Sequence, residues 1–286
     1  MRKEQVLQTL DCRPGVPVPA TLHWWGLYKF AHAGVLNGYE DSENGWSMFG
    51  KDLADVDARF YDDFAPATFH LSTGRRQGKY GRWFFDQSEA ERAALLQAVR
   101  NLESYSVLDE YLDSIRISKE DVLAGQEFAH VTELRKKYGS EAVLLMNEGN
   151  PISSILDPNG CVGFENGLIQ LLEEPEKMAY LIDGAYKAIL PRMEALKEAG
   201  ADGYIGSETY CTRDVMSPKM WRELIFPAQQ HFYKTVGAMD MIPVVYFLFS
   251  LSQRPSLLRF RPGLLQLLQN VICRVVANGV CIVVDT

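Results

Sequence analysis

No two cysteines in this chain stand at CxxC spacing. The five, Cys12, Cys161, Cys211, Cys273 and Cys281, are scattered and odd in number. They argue against a disulfide framework and for a reducing compartment. No uninterrupted run of about 18 apolar residues occurs, so no transmembrane helix is expected. The first stretch, MRKEQVLQTLDCRPG, lacks an apolar core of signal-peptide length. A cytoplasmic location follows as the expectation. Positive charge is in deficit: the net charge is −8, and such a field does not favour nucleic acid or anionic lipid. Neither nucleic acid nor membrane is an expected partner. No internal repeat or low-complexity tract is present. What remains is an ordinary globular composition, 47% hydrophobic and 23% charged. Its 286 residues suffice for one large α/β domain or two small ones.

Five segments read as strands: residues 16–23 (VPVPATLH), 67–72 (ATFHLS), 142–146 (AVLLM), 201–206 and 241–248 (MIPVVYFL). Helical periodicity covers residues 3–10, 45–64, 88–102, 118–138, 164–172, 175–200 and 218–236; Pro191 is expected to kink the sixth of these. Ser88 and Ser118 read as N-caps, and Ser217-Pro218 as a cap with proline at the first helical position. Residues 105–117 are ambiguous. Strands alternating with helices predict parallel βα units. No GxGxxG follows the first strand and no GxxxxGK[ST] occurs. A TIM-like (β/α) barrel is therefore favoured over a dinucleotide-binding sheet, although periodicity leaves closure open.

In α/β folds, polar groups just past the carboxyl ends of strands bind ligands. Glu208, Tyr210, Cys211, Arg213 and Asp214 arrive together where the strand at 201–206 should end. Glu208 is the strongest candidate for acid–base work, because burial at a strand end raises a carboxylate's pKa. The alternative is a structural carboxylate bonded to barrel backbone. Asn147, Glu148 and Asn150 follow the strand at 142–146, and Tyr246 lies near the end of the strand at 241–248. His23, Trp24, Trp25, Tyr28 and Lys29 follow the first strand; they read as the wall of a pocket for a large flat ligand or as an apolar plug. His70 stands within the second strand candidate, as a proton-transfer group or a hydrogen-bonded core residue. Arg75, Arg76, Lys79 and Arg82 form either a solvated hairpin or an anion clamp, since guanidinium groups bind carboxylates bidentately. Asp52, Asp55, Asp57, Asp62 and Asp63 read as a solvated face rather than a metal site.

The composition changes after residue 248. The remaining stretch holds one acid, Asp285, four arginines and no lysine, so it carries +3 where residues 1–248 carry −11. Strand–helix alternation stops there, apart from a helix at 264–272 and a strand at 280–284 that the residues permit. The expectation is a barrel domain over 1–248, incomplete at its C-terminal end, with an anomalous tail over 249–286 produced by a frame shift near residues 247–249. The alternative is an unusual but genuine tail.

The order of KEQVLQTL, VPVPATLHWWGLYKF, LEEPEKMAYLIDGAYKAILPRMEALKEAGADGYIGSETY and SPKMWRELIFPAQQHFYKTVGAMDMIPVVYF resembles the uroporphyrinogen decarboxylase superfamily. The similarity covers about residues 1–248 and is best over 173–246. That superfamily includes the decarboxylase itself and corrinoid-dependent methyltransferases, such as methylcobalamin:coenzyme M methyltransferase. The resemblance implies a TIM-like barrel with its site at the carboxyl face. The decarboxylase kit is an arginine-rich loop after the first strand and an aspartate after the next. Here the first loop has no arginine, and ATFHLS carries His70 and no aspartate. The methyltransferase kit is a zinc ion that holds a thiol substrate as thiolate, bound by H-x-C near MIPVVYFL and a later cysteine. Tyr246, Phe247 and Leu248 stand there instead. The remaining candidates for metal binding or proton transfer are His23, His70, Glu148, Glu208, Tyr210 and Cys211.

Three readings follow. The first is a methyltransferase-like barrel acting with a corrinoid, a corrinoid-protein partner and, on the family's pattern, zinc. The second is a tetrapyrrole decarboxylase of porphyrin synthesis, which needs no cofactor. The third is an inactive fragment that binds a ligand or a corrinoid protein.

Overall fold

The computed structural model describes residue 4 and residues 69–72, 88–140, 143–147, 151–158, 160–208, 210–211, 215–247 and 281–284. Five strands, β1 (Phe69–Ser72), β2 (Val143–Asn147), β3 (Gly203–Ser207), β4 (Ile242–Phe247) and β5 (Cys281–Val284), form one sheet in the order of the chain. Every neighbouring pair is parallel. An order without reversal is that of a barrel wall; a doubly wound sheet turns back at a switch point. The helices between strands are α1 (Glu89–Arg100), α2 (Tyr105–Ile115), α3 (Lys119–Ala124), α4 (Ala129–Tyr138), α5 (Pro151–Leu156), α6 (Phe164–Glu173), α7 (Pro175–Ala188) and α8 (Leu190–Glu198). Between β3 and β4 come α9 (Pro218–Met220), a π turn (Trp221–Ile225) and α10 (Phe226–Ala238).

The sheet is covered on both faces. Leu144, Met146, Tyr204 and Val245 join the helices in the main apolar cluster. Val143, Leu145, Ile205 and Val244, the alternate residues, are also buried but lie outside that cluster. Strand side chains alternate between faces, so the first set marks the helix side and the second the opposite side. Burial on both sides explains why VLLM and IPVV read as continuous apolar runs.

Most helix signals act as their chemistry requires. Ser88 and Glu91 form a reciprocal capping box at α1. Ser104 caps α2, settling the ambiguous stretch at 105–117 as helix. Three expected helices are each divided, and the cause is local. The one at 118–138 breaks where Gly125 caps α3 and Gln126 adopts φ +52°, which carries Phe128 into the core. The one at 175–200 breaks at Ile189, because Pro191 has no N–H to offer the Lys187 carbonyl. The one at 218–236 widens into the π turn, where the Phe226 N–H bonds the Trp221 carbonyl. Pro227 has no N–H for the Glu223 carbonyl, so the helix opens by one residue to accommodate it. The helix α5 gave no periodic signal because it is only six residues long.

The tail adds a strand in register. Val244 pairs with Cys281, and Phe247 with Val284, as the β-branched run IVV favours. The chain between residues 247 and 281 lies outside the described residues. So do the strand candidate at 16–23, the helix at 45–64 and its five aspartates. No helix among the described residues is long and apolar enough to cross a membrane.

At the amino edge of the sheet, Arg135 Nε donates to the Gly200 carbonyl at 2.8 Å and its guanidinium pairs with Asp202. Asp202 Oδ2 in turn accepts the Leu144 N–H at 2.8 Å. This locks α4 to the starts of β2 and β3. Gly203 then brings the strands close: a Cβ there would sit 2.4 Å from the Ile242 carbonyl oxygen and 2.5 Å from Leu145 Cδ2. Gly203→Ala must push backbone aside, so it is expected to cost about 1–3 kcal/mol. Urea denaturation should show a lower midpoint with an unchanged slope.

Candidate functional site

The carboxyl edge of β3 delivers one buried acid. Tyr204 and Gly206 face the helices, and Glu208 continues that alternation one step past the strand. Its carboxylate is fully buried. Tyr186 of α7 shares its hydroxyl proton between both oxygens, at 2.9 Å from Oε1 and 3.0 Å from Oε2. Tyr233 of α10 donates to Oε1 at 2.7 Å. Gly206 leaves the room this requires, since a Cβ there would lie 1.9 Å from the Tyr233 hydroxyl oxygen.

A second arm of the network runs along the same side. The Cys211 N–H bonds the Glu208 carbonyl at 3.1 Å, and Cys211 Sγ lies 4.0 Å from Oε2. Gln229 Nε2 donates to that sulfur at 3.3 Å, and Gln229 Oε1 accepts from Trp221 Nε1 at 2.9 Å. Burial raises the Glu208 carboxyl above the usual glutamate range, with hydrogen bonds from Tyr233, Tyr186 and Gln229 pulling it partly back. Burial and the Glu208 charge push the Cys211 thiol well above its ordinary value. The buried Cys161 thiol is pushed up to about 11, mainly by burial. Neither is an activated thiolate.

Tyr210 points away from this network. Its hydroxyl donates to Asp157 Oδ2 at 3.1 Å, and its ring meets Phe164 with centroids 5.7 Å apart. Asp157 directly follows α5 and Phe164 opens α6, so the pair bridges the connections that follow β2 and β3. Burial, then the Asp157 hydrogen bond and charge, raise the Tyr210 phenol.

The sequence candidates divide accordingly. Glu208, Tyr210 and Cys211 come together, with Glu208 turned to the helix side. His70 lies within β1 in register with Leu144; Asn147 ends β2 in register with Ile205; Tyr246 lies in β4 in register with Ser207. His23, Trp24, Trp25, Tyr28, Arg75, Arg76, Glu148 and Asn150 lie outside the described residues. Four participants were not anticipated: Asp157, Tyr186, Gln229 and Tyr233. Tyr186 had a legible signal, since it stands four residues after the inward-facing Ile182 on the apolar stripe of α7. Asp157 had none.

Residues 100–253, more than half of the chain, match the uroporphyrinogen decarboxylase (URO-D) family. The chain belongs to the uroporphyrinogen decarboxylase family. A solved methyltransferase from Methanosarcina mazei shares its fold, with a TM-score of 0.51 and 14% identity, over 86% of this chain and 69% of that one. No curated protein sequence gave a match.

Zinc, which the methyltransferase side of this family implies, was tested against the donors present. Among the described residues no three His, Cys, Asp or Glu side chains gather as ligands. The Glu208 oxygens already accept from two tyrosine hydroxyls and the Cys211 sulfur accepts from Gln229 Nε2. This donor set does not fit a zinc ion.

Folded Glu208 holds its proton more tightly than unfolded Glu208 does. The folded state therefore binds more protons just above the ordinary glutamate range, and this group's contribution to stability is lost as pH rises through the folded pKa. Glu208→Gln should remove that dependence. Denaturation across pH should show wild type losing ground to the variant as pH rises. Tyr233→Phe removes a donor to the buried carboxylate and should cost about 1–3 kcal/mol in the same assay.

Proposed function

We propose that this chain is a TIM-like (β/α) barrel that transfers a methyl group between a corrinoid, free or carried by a partner protein, and a small acceptor. The observation that carries this reading is the sequence stretch at residues 23–29. It holds Trp24, Trp25 and Tyr28 but no arginine, which suits a flat, largely apolar ligand better than one bearing many carboxylates. The fold neighbour with a methyltransferase name supports it, as does the unreversed strand order.

In this reading Asp157 and Tyr210 orient the acceptor at the carboxyl edge, and Phe164 shields them from water. His23, Trp24, Trp25 and Tyr28 wall the flat ligand. Asn147, Glu148, Asn150 and Tyr246 supply polar contacts from the neighbouring strand ends. Arg75 and Arg76 hold anionic groups at the ligand's rim, and His70 is a reserve proton carrier. Glu208 stays behind the site as a buried support. A cytoplasmic location belongs to the same proposal.

The test is incubation of the full chain with methylcobalamin and a thiol such as 2-mercaptoethanesulfonate. The methylcobalamin absorbance should convert to that of the demethylated corrinoid, with methylated thiol as product. Tyr210→Phe should lower the rate about 10-fold or more, as expected for a positioning hydroxyl. Unchanged methylcobalamin, together with mass loss from uroporphyrinogen as carbon dioxide, would instead establish the decarboxylase reading. Inertness toward both substrates would favour a fragment that binds without chemistry.

A further inference from the structure

Segment 208–211 is held at three points. The Glu208 carboxylate is pinned by Tyr186 and Tyr233, the Cys211 N–H by the Glu208 carbonyl, and the Cys211 sulfur by Gln229. Tyr210 directly precedes Cys211, and its hydroxyl turns toward Asp157. Stability does not call for so polar an arrangement, because apolar side chains of similar volume serve a buried position at least as well as buried charge does. A fully connected polar network instead specifies geometry.

The π turn keys the second arm. On a regular helix, residues eight apart are about 80° out of line; one inserted residue makes them equivalent to seven apart, about 20° from alignment. Trp221 and Gln229 are eight apart and hydrogen-bonded across the π turn. The widened turn thus aims Trp221 at Gln229, and the held amide of Gln229 directs its Nε2 to Cys211.

We propose that Glu208 and Gln229 are positioning residues, which act from the helix side of the sheet to fix the loop that presents Tyr210 to substrate. The substrate clause rests on the methyl-transfer reading above. The positioning clause does not, and it can be tested separately.

The experiment measures the rate at which tetranitromethane nitrates Tyr210 in the full chain, read site by site by peptide mass. Tyr210→Phe identifies the peptide. The proteins compared are wild type, Glu208→Leu, Glu208→Gln, Gln229→Leu and the core variant Leu108→Ala, whose side chain makes no bond to the network. Glu208→Leu and Gln229→Leu should nitrate Tyr210 about five-fold faster or more, the factor that about 1 kcal/mol of lost positioning carries. Glu208→Gln still accepts from Tyr233 and should stay near wild type. Leu108→Ala should lower Tm without changing the Tyr210 rate. Equal rates in all proteins, or equal acceleration in Leu108→Ala, would overturn the proposal. If Glu208→Leu does not fold, Gln229→Leu carries the same comparison. In the methylcobalamin assay Gln229→Leu should lower kcat, and Glu208→Gln should retain it. A wild type inert toward methylcobalamin would sink the methyl-transfer reading, while the nitration rates would still decide the positioning.

Discussion

The burial of one carboxylate organises this half of the molecule. Glu208 sits where β3 ends, wholly removed from water, and both oxygens are claimed by tyrosines from α7 and α10. An unpaired charge in such a place costs several kcal/mol. Glu208 escapes much of that cost only while both hydroxyls reach it. The demand propagates outward. Gly206 cannot carry a side chain, α7 and α10 must meet behind the sheet, and the turn after β3 must close at Cys211.

Helix breaks in this chain are part of the same geometry. Pro191 ends α7 at Ala188 and sits in the first turn of α8. Pro227 opens the π turn, which offsets the register of Trp221 against Gln229 by one residue. Gly125 and Gln126 release α3 so that Phe128 can enter the core. At Gly125 and at Pro227 the break coincides with a side chain that turns inward, Phe128 and Gln229.

Membership of the uroporphyrinogen decarboxylase family sets the frame for function, but the residues depart from the decarboxylase's expected kit. The acid at the third strand's edge supports the scaffold from the helix side, whereas Tyr210 and Asp157 lie between the connections after β2 and β3. In parallel α/β folds the rigid strands hold the loops that follow their carboxyl ends. The buried network lies on the helix side of the sheet, and the tyrosine–aspartate pair lies between two connections at its carboxyl edge.

Much of the fold was legible in the chain because its signals are local. The runs VLLM and IPVV, the capping box at Ser88 and the Ser217-Pro218 start each specify their element from neighbours in sequence. Even Glu208 was legible as important, since an acid after a buried strand is rare without a partner. Its orientation was not. Which side of the sheet Glu208 faces depends on the two-residue alternation of β3 and on which helices cover it, and Tyr186 and Tyr233 lie 22 and 25 residues away. The Tyr210–Asp157 contact spans 53 residues. By itself the sequence determined four of the described strands, the caps and the family; tertiary packing decided which polar groups meet, because only chain segments distant in sequence supply both halves of each bond.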